Sequence, residues 1–426
     1  MSHYSLVKVF IICFSAMLIS ACDIFTGPES YHHMDTTGLR SLMATAYASI
    51  QREGTVPPHA ARIYAYTAIA YYEGLRLGYP STRSLAGQLN GLSALPIPSK
   101  KHLDWNQVGL EAASYVLSEL LKQNKALHHD TVQGISALFS TKANTSEVQY
   151  GALLGKEILE YANTDGFLAT RGKQWSAPVS SQAWVPTAPT FAPALEPYWG
   201  SLRPFVMKPD YSECIPKAIP SYSEDPESEM YKQAKTVYDI SKSLTEDQRS
   251  IALFWADAPT ETGTPPGHWI MIGRQMIEEK KLSLLEAADL FVRLGIGLND
   301  AFMAGWYCKY RFNLLRPITA IQRFIDPSWA PLLVTPNFPE YVSGHSVGSG
   351  ASSSVLTSLL GTTAFIDKTH LSRGLGSRSF PSFMDAANEA ANSRLYGGIH
   401  YPMGNYEGLL VGQCVGSLVS VRIQTR

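Results

Sequence analysis

The stretch from Lys309 to Asn405 constrains this chain more than any other part of it. It opens with Lys309 and, after six intervening residues, Arg316-Pro317. It continues through Phe338-Pro339-Glu340-Tyr341-Val342-Ser343-Gly344-His345 and ends with Ser393-Arg394, five residues, then His400. One Lys, two Arg, one Ser and two His stand out in these segments. Together they offer permanent positive charge, hydroxyl and imidazole donors, and a nitrogen nucleophile. That set suits a tetrahedral oxyanion, which Arg binds through a planar fork of donors and Lys through a compact point charge. The small pair Ser343-Gly344 lets backbone N–H groups come close to such an ion. A helix beginning there adds further donors at its N-terminus.

The segments carrying these residues read as helices. Leu282 to Leu315 is one long helical pattern, or two broken near Gly295-Ile296-Gly297, and it places Trp306 and Lys309 on one face. Ser343 to Leu360 is a second helix, rich in small residues, with His345 in its first turn. Residues 381–395 and 402–422 complete a bundle. Upstream, Asp35, Thr36 and Thr37 offer N-caps before Leu39, and Pro57-Pro58 restart a helix as Pro does at a first turn. Leu110, Ala113, Val116 and Leu117 keep a helical period, as do segments at 128–140, 146–162, 227–241 and 245–256. No repeat of fixed period and no strand-like alternation is seen. The expected fold is all-α, helices packed as bundles, with the oxyanion site within the C-terminal bundle.

At 426 residues the chain can bury a large core and hold two domains. Its net charge of −1, from 35 basic and 36 acidic residues, gives no basic surplus for nucleic acid. Residues 1–21 read as a signal peptide: Lys8, an apolar run from Val9 to Ile19, then Leu18-Ile19-Ser20-Ala21-Cys22. That ending resembles a bacterial lipobox, which implies lipidation of Cys22 and anchoring at a membrane surface in the cell envelope. After it come an N-terminal helical region, 22–165, and a Pro/Trp-rich connecting loop, 166–226. Residues 227–426 form the helical domain that carries the site. The loop is expected to cross between the two helical halves as a cover over the site entrance. Cys214, Cys308 and Cys414 have no metal spacing and read as buried thiols rather than a disulfide framework. The pairs His32-His33 and His128-His129 read as surface histidines. No apolar run after the signal is long enough to span a bilayer.

The order K-x6-R-P, S-G-H, S-R-x5-H is similar to the three-part signature of the type 2 phosphatidic acid phosphatase superfamily, which includes the vanadium-dependent haloperoxidases. Lys309/Arg316/Pro317, Ser343/Gly344/His345 and Ser393/Arg394/His400 match it position by position. Trp306 and Phe338 resemble the aromatic positions that line the vanadate pocket of the haloperoxidases. Phe254-Trp255-Ala256-Asp257 and Thr264-Pro265-Pro266-Gly267-His268-Trp269 resemble bacterial haloperoxidase-like proteins, as does the helix after Pro57. On that resemblance Asp257 pairs with an active-site Arg, or else caps a turn. His268 starts the next helix without binding anything, and Arg62 and Glu73 form a structural ion pair. One position departs from the pattern. The superfamily places an Asp four residues after the second His, to orient and charge-stabilise it, and here that position is Gly404. Asn405 and Glu407 are the nearby candidates to replace it.

The resemblance implies a vanadate cofactor held by Lys309, Arg316, Ser343, Gly344 and Arg394, with His400 bonded to vanadium and His345 as general acid/base. The implied reaction is oxidation of a halide, iodide or bromide before chloride, by hydrogen peroxide. The alternative is a soluble acid-phosphatase-like phosphomonoesterase that acts through a phosphohistidine at His400. A third reading is an oxyanion-binding lipoprotein without turnover, for which the missing Asp at 404 is the motive.

Overall fold

The computed structural model describes residues 35–426 apart from Lys101, Asn124, residues 139–144 and Lys217. The signal segment, Cys22 and His32-His33 lie outside the described residues. The N-terminal half contains α1 (Thr37–Glu53), α2 (Pro57–Leu75), α3 (Trp105–Lys122), α4 (His129–Ser136), α5 (Ser146–Asn163) and the short α6 (Phe167–Thr170). After the Pro-rich stretch come α7 (Glu229–Lys242), α8 (Glu246–Phe254), α9 (Thr264–Glu279), α10 (Leu284–Phe312) and α11 (Pro317–Phe324). The C-terminal elements are α12 (Gly344–Leu360), α13 (Phe383–Tyr396) and α14 (Pro402–Arg422). Between α12 and α13 lies a small antiparallel hairpin, β1 (Phe365–Asp367) with β2 (Arg378–Phe380), paired Phe365 to Phe380. The sequence showed no strand here because three residues per strand are too few to display an alternation.

The helix α10 runs unbroken through Gly295 and Gly297 and is the axis of the molecule. A capping box at Ser283 and Glu286 starts it, and Asn313, in the left-handed conformation, ends it. At Gly295 α2 packs close: a Cβ there would stand 2.9 Å from the Ala65 Cα. On the other side α12 and α14 meet backbone to backbone. A Cβ on Gly412 would lie 2.2 Å from the Val347 carbonyl oxygen, so only glycine permits this crossing. Nearer His400, Ser343 N donates to the Gly404 carbonyl at 2.9 Å, which ties the start of α14 to the start of α12, next to His345.

The Pro-rich stretch between α6 and α7 is ordered by α10 and the segment after it. The Leu195 carbonyl accepts from Trp306 Nε1 at 3.2 Å and from the Tyr310 hydroxyl at 2.6 Å. Trp184 N donates to the Asn313 carbonyl at 3.0 Å, and Leu315 N to that of Gln182 at 2.8 Å. The stretch is also tied covalently to the C-terminal helix, because Cys214 and Cys414 form a disulfide. This corrects the expectation of free thiols: the two residues are 200 apart in sequence, and only the fold brings them together. Cys308 remains a buried thiol, pushed up to about 12 by burial. Arg62 and Glu73 do sit in ion pairs, though with other partners: Arg62 with Asp165 at 2.6 Å and Glu73 with Arg76 at 2.5 Å. His128 and His129 are exposed. No helix among the described residues is long and apolar enough to cross a membrane.

Candidate active site

Trp306, Phe338, Gly344, His345, Arg394, His400 and Asp257 all line one cavity of about 540 Å³, whose outer wall includes Leu195 from the Pro-rich stretch. Five parts of the chain deliver them: the turn between α8 and α9, α10, the segment before α12, the first turn of α12, and the end of α13 with the turn into α14. Ser343 is the N-cap of α12 and accepts from Ser346 N at 3.4 Å. That cap leaves the first N–H groups of α12, Gly344 among them, free of intrahelical partners, and Gly344 itself lines the cavity. A Cβ on Gly344 would come no closer than 3.5 Å to anything, the Trp306 ring being nearest.

Arg316, Lys309 and Ser343 are fully buried behind that lining. Arg316 Nε donates to the Phe338 carbonyl at 2.8 Å. Its Nη1 donates to the Ile399 carbonyl at 2.9 Å and to His400 Nε2 at 3.1 Å, while Nη2 has no partner. Arg394 donates to Ser393 Oγ at 3.0 Å and to the Ala252 carbonyl at 3.2 Å. The Phe338 ring lies against two cations, 4.8 Å from the Arg316 guanidinium and 4.9 Å from the Lys309 ammonium. Lys309 differs from its expected role as a direct oxyanion contact. Its ammonium donates to the carbonyls of Pro339, Glu340 and Val342, so it shapes the segment before α12. Burial, with Arg316 beside it, holds Lys309 well below the usual ammonium range. Burial pushes both Arg316 and Arg394 down to about 10, with Asp257 opposing the shift at Arg394.

The largest departure from the sequence reading lies under His400. Neither Asn405 nor Glu407 supplies its carboxylate. Both polar atoms of the Asn405 side chain are buried and unpaired. The partner is Glu340, whose Oε1 sits 2.7 Å from His400 Nδ1 and also accepts from Tyr401 N at 3.0 Å. The sequence held a signal for it: Glu340 is a lone acid in an otherwise apolar run just ahead of Ser343-Gly344-His345. With Nδ1–H donated to Glu340 and Arg316 donating to Nε2, the neutral His400 ring has its lone pair on Nε2. Burial, then Arg316 and Lys309, keeps His400 well below the usual imidazole range. His345 is also held well below it, first by burial and then by Arg394, and its Nε2 has no partner.

Asp257 pairs differently from the expectation. Its partners are His268 Nδ1 at 2.8 Å and His370 Nε2 at 3.2 Å, with no ion pair to an Arg among the described residues. His268, expected only to begin a helix, follows the Pro265-Pro266 start of α9 and bridges to Asp367 through Nε2 at 2.8 Å. Asp257, His268 and His370 are also the one group of three metal-ligand side chains brought together among the described residues. The His268 separations are those of charge-assisted hydrogen bonds, and the two carboxylates overcome burial to hold His268 protonated, up to about 10.

A helical bundle that brings the Arg394 guanidinium, two imidazoles and a helix N-terminus to one cavity has the chemistry that suits an oxyanion. Residues 289–426 match the family described as the VCPO second helical-bundle domain. The chain resembles the crystal structure of a bacterial vanadium-dependent iodoperoxidase, with 34% identity and a TM-score of 0.82, over 91% of this chain and 96% of that one. The chain belongs to the vanadium-dependent haloperoxidase family. A vanadium chloroperoxidase of Curvularia inaequalis is 28% identical over 129 residues, which is 24% of this chain and 21% of that protein. The apo form of a bacterial vanadium-dependent chloroperoxidase shares the fold at 16% identity, with a TM-score of 0.66 over 87% of this chain and 94% of that one.

Proposed function

We propose that this protein is a vanadate-dependent haloperoxidase that oxidises iodide or bromide with hydrogen peroxide. The observation that carries the reading is the gathering of nitrogen groups at and behind one cavity. His345, with Nε2 unpaired, Arg394 and His400 line it, and Arg316, with Nη2 unpaired, lies just behind and donates to His400 Nε2 at 3.1 Å. Buried polar nitrogens left unpaired cost stability, so an oxyanion that satisfies them fits this site. Arg316, Arg394, Ser343 and the Gly344 N–H would hold vanadate, and His400 Nε2 would bond the metal. Lys309 adds its charge from behind while shaping the segment that presents Ser343. Bound vanadate supplies a Lewis-acidic centre that activates peroxide toward a halide without changing its own oxidation state. His345 is neutral and therefore able to take and return a proton at Nε2. The preference for iodide or bromide is supported by the 34%-identical relative being an iodoperoxidase, whereas the chloroperoxidase with a solved apo structure is 16% identical.

The proposal extends to location. The lipobox-like end of the signal segment supports export and lipid anchoring at Cys22, and a disulfide between Cys214 and Cys414 suits an oxidising compartment. Cys22→Ser should abolish lipid labelling; unchanged labelling would remove the anchor from the account.

One titration tests the activity. Vanadate is added to the metal-free protein while halide oxidation and phosphate-ester hydrolysis are followed together. Halide oxidation should rise to saturation. Hydrolysis that falls, with no halide oxidation at any vanadate concentration, would replace this reading with a phosphatase working through His400. In the same assay His345→Ala should retain vanadate and lose halide oxidation by about 10²–10⁴-fold.

A further inference from the structure

Gly404 and Glu340 meet in space. A Cβ built on Gly404 would lie 2.3 Å from Glu340 Oε1, 2.9 Å from Oε2 and 3.0 Å from Cδ. Any side chain at 404 would therefore displace the Glu340 carboxylate from His400. The carboxylate reaches that space from a different segment, the loop ahead of α12, and the loop is held firmly. Glu340 N donates to the Leu314 carbonyl at 2.9 Å, and the Lys309 ammonium grips the carbonyl of Glu340 and two neighbours. Glu340 is itself fully buried. We propose that Glu340 is the positioning residue of His400, and that Gly404 stays without a side chain because Glu340 occupies its place.

The arrangement has a consequence for the site. The segment that presents Ser343 and His345 to the cavity also fixes the tautomer and aim of His400. A carboxylate on α14 itself would orient the ring without involving that segment. Here the two motifs are joined by the hydrogen bond of 2.7 Å between Glu340 Oε1 and His400 Nδ1. Burial pushes Glu340 up to about 7 against the opposing charges of Lys309 and Arg316, in keeping with a carboxylate enclosed by the protein.

The inference rests on the oxyanion reading of the cavity, and its test separates the two. Vanadate affinity is measured by equilibrium dialysis for the parent, Glu340→Ala, Glu340→Gln, Gly404→Asp and the Glu340→Ala/Gly404→Asp double variant. Thermal unfolding of each confirms that it is folded. Glu340→Ala should weaken vanadate binding about 10–100-fold, as loss of a ligand's outer partner does. Glu340→Gln keeps an acceptor oxygen and should fall between parent and Ala. Gly404→Asp alone should lower the unfolding temperature, because two carboxylates compete for one place. The double variant should bind within a few-fold of the parent, the reverse of additive damage. A folded Glu340→Ala that binds like the parent overturns the proposal, as does a folded double variant no better than Glu340→Ala. A parent protein that binds no vanadate overturns the oxyanion reading instead. In that case ¹⁵N shifts of the His400 ring still decide the role of Glu340. The ring should be protonated at Nδ1 alone in the parent and in the double variant, and should show mixed tautomers in Glu340→Ala. An unchanged tautomer in Glu340→Ala overturns the proposal.

Discussion

His400 and His268 are both buried histidines, with side chains 3% and 1% exposed, but one ring is neutral and the other is a cation. Burial disfavours the imidazolium in each case. At His400 the charged neighbours are Arg316, Lys309 and Arg394, which add to burial and keep the ring neutral; the Glu340 carboxylate fixes its tautomer. At His268 the neighbours are Asp257 and Asp367, which outweigh burial and keep the ring protonated up to about 10. The desolvation penalty is common to both, so the balance of neighbouring charge, three cations against one carboxylate at His400 and two carboxylates at His268, decides the state. The neutral ring has a lone pair to offer a ligand. The charged ring cannot ligate, and it serves as a fixed cation that holds Asp257 in the wall of the same cavity.

The comparison can be broken most strongly at His268. His268→Ala leaves Asp257 and Asp367 buried without their shared cation and should destabilise the protein by about 3–5 kcal/mol, read from chemical denaturation. A loss of less than about 1 kcal/mol, the range of exposed pairs, would mean that the network carries little charge. On the other side, Arg316→Ala removes a cation from His400 and a charge-assisted contact from the ligand. Vanadate binding should weaken by about 1.5–3 kcal/mol, and the pKa of His400 should rise toward its ordinary value. Unaltered vanadate affinity would place the oxyanion elsewhere.

A further expected effect is in the pH dependence of stability. His268 has a folded pKa above its unfolded value of 6.5, so its contribution is fully present below pH 6.5. It is lost progressively as pH rises through about 10. Melting temperature should therefore decline between those limits, and the decline should flatten in His268→Gln. An equal decline in the variant would assign the pH dependence to other groups.

Much of this was legible in the chain. The spacing of Lys309, Arg316, Ser343, His345, Arg394 and His400 marked the site, because each motif lies at a helix terminus that its local sequence defines. Periodicity and capping residues likewise marked the helices. What escaped depends on contacts between distant segments. Gly404 showed only that a carboxylate was missing; Glu340 stood out as a lone acid in an apolar run, but nothing near Gly404 in sequence tied the two together. The Lys309 ammonium could be placed in the site, but its turn toward three carbonyls follows from the path of the loop before α12. Cys214 and Cys414 pair across 200 residues. Asp367 and His370, which complete the network around His268, lie in and just after a strand too short to read.

The most direct test of the account is the protonation state of the two rings in one sample. The protein is labelled with ¹⁵N at histidine, and His400 and His268 are assigned by substitution. Their ring nitrogens are then observed from pH 6 to 9. His400 should appear throughout as a neutral ring protonated at Nδ1, and His268 as an imidazolium protonated at both nitrogens. An imidazolium at His400 at pH 7, or a neutral His268 there, would contradict the claim that neighbouring charge sets the two apart.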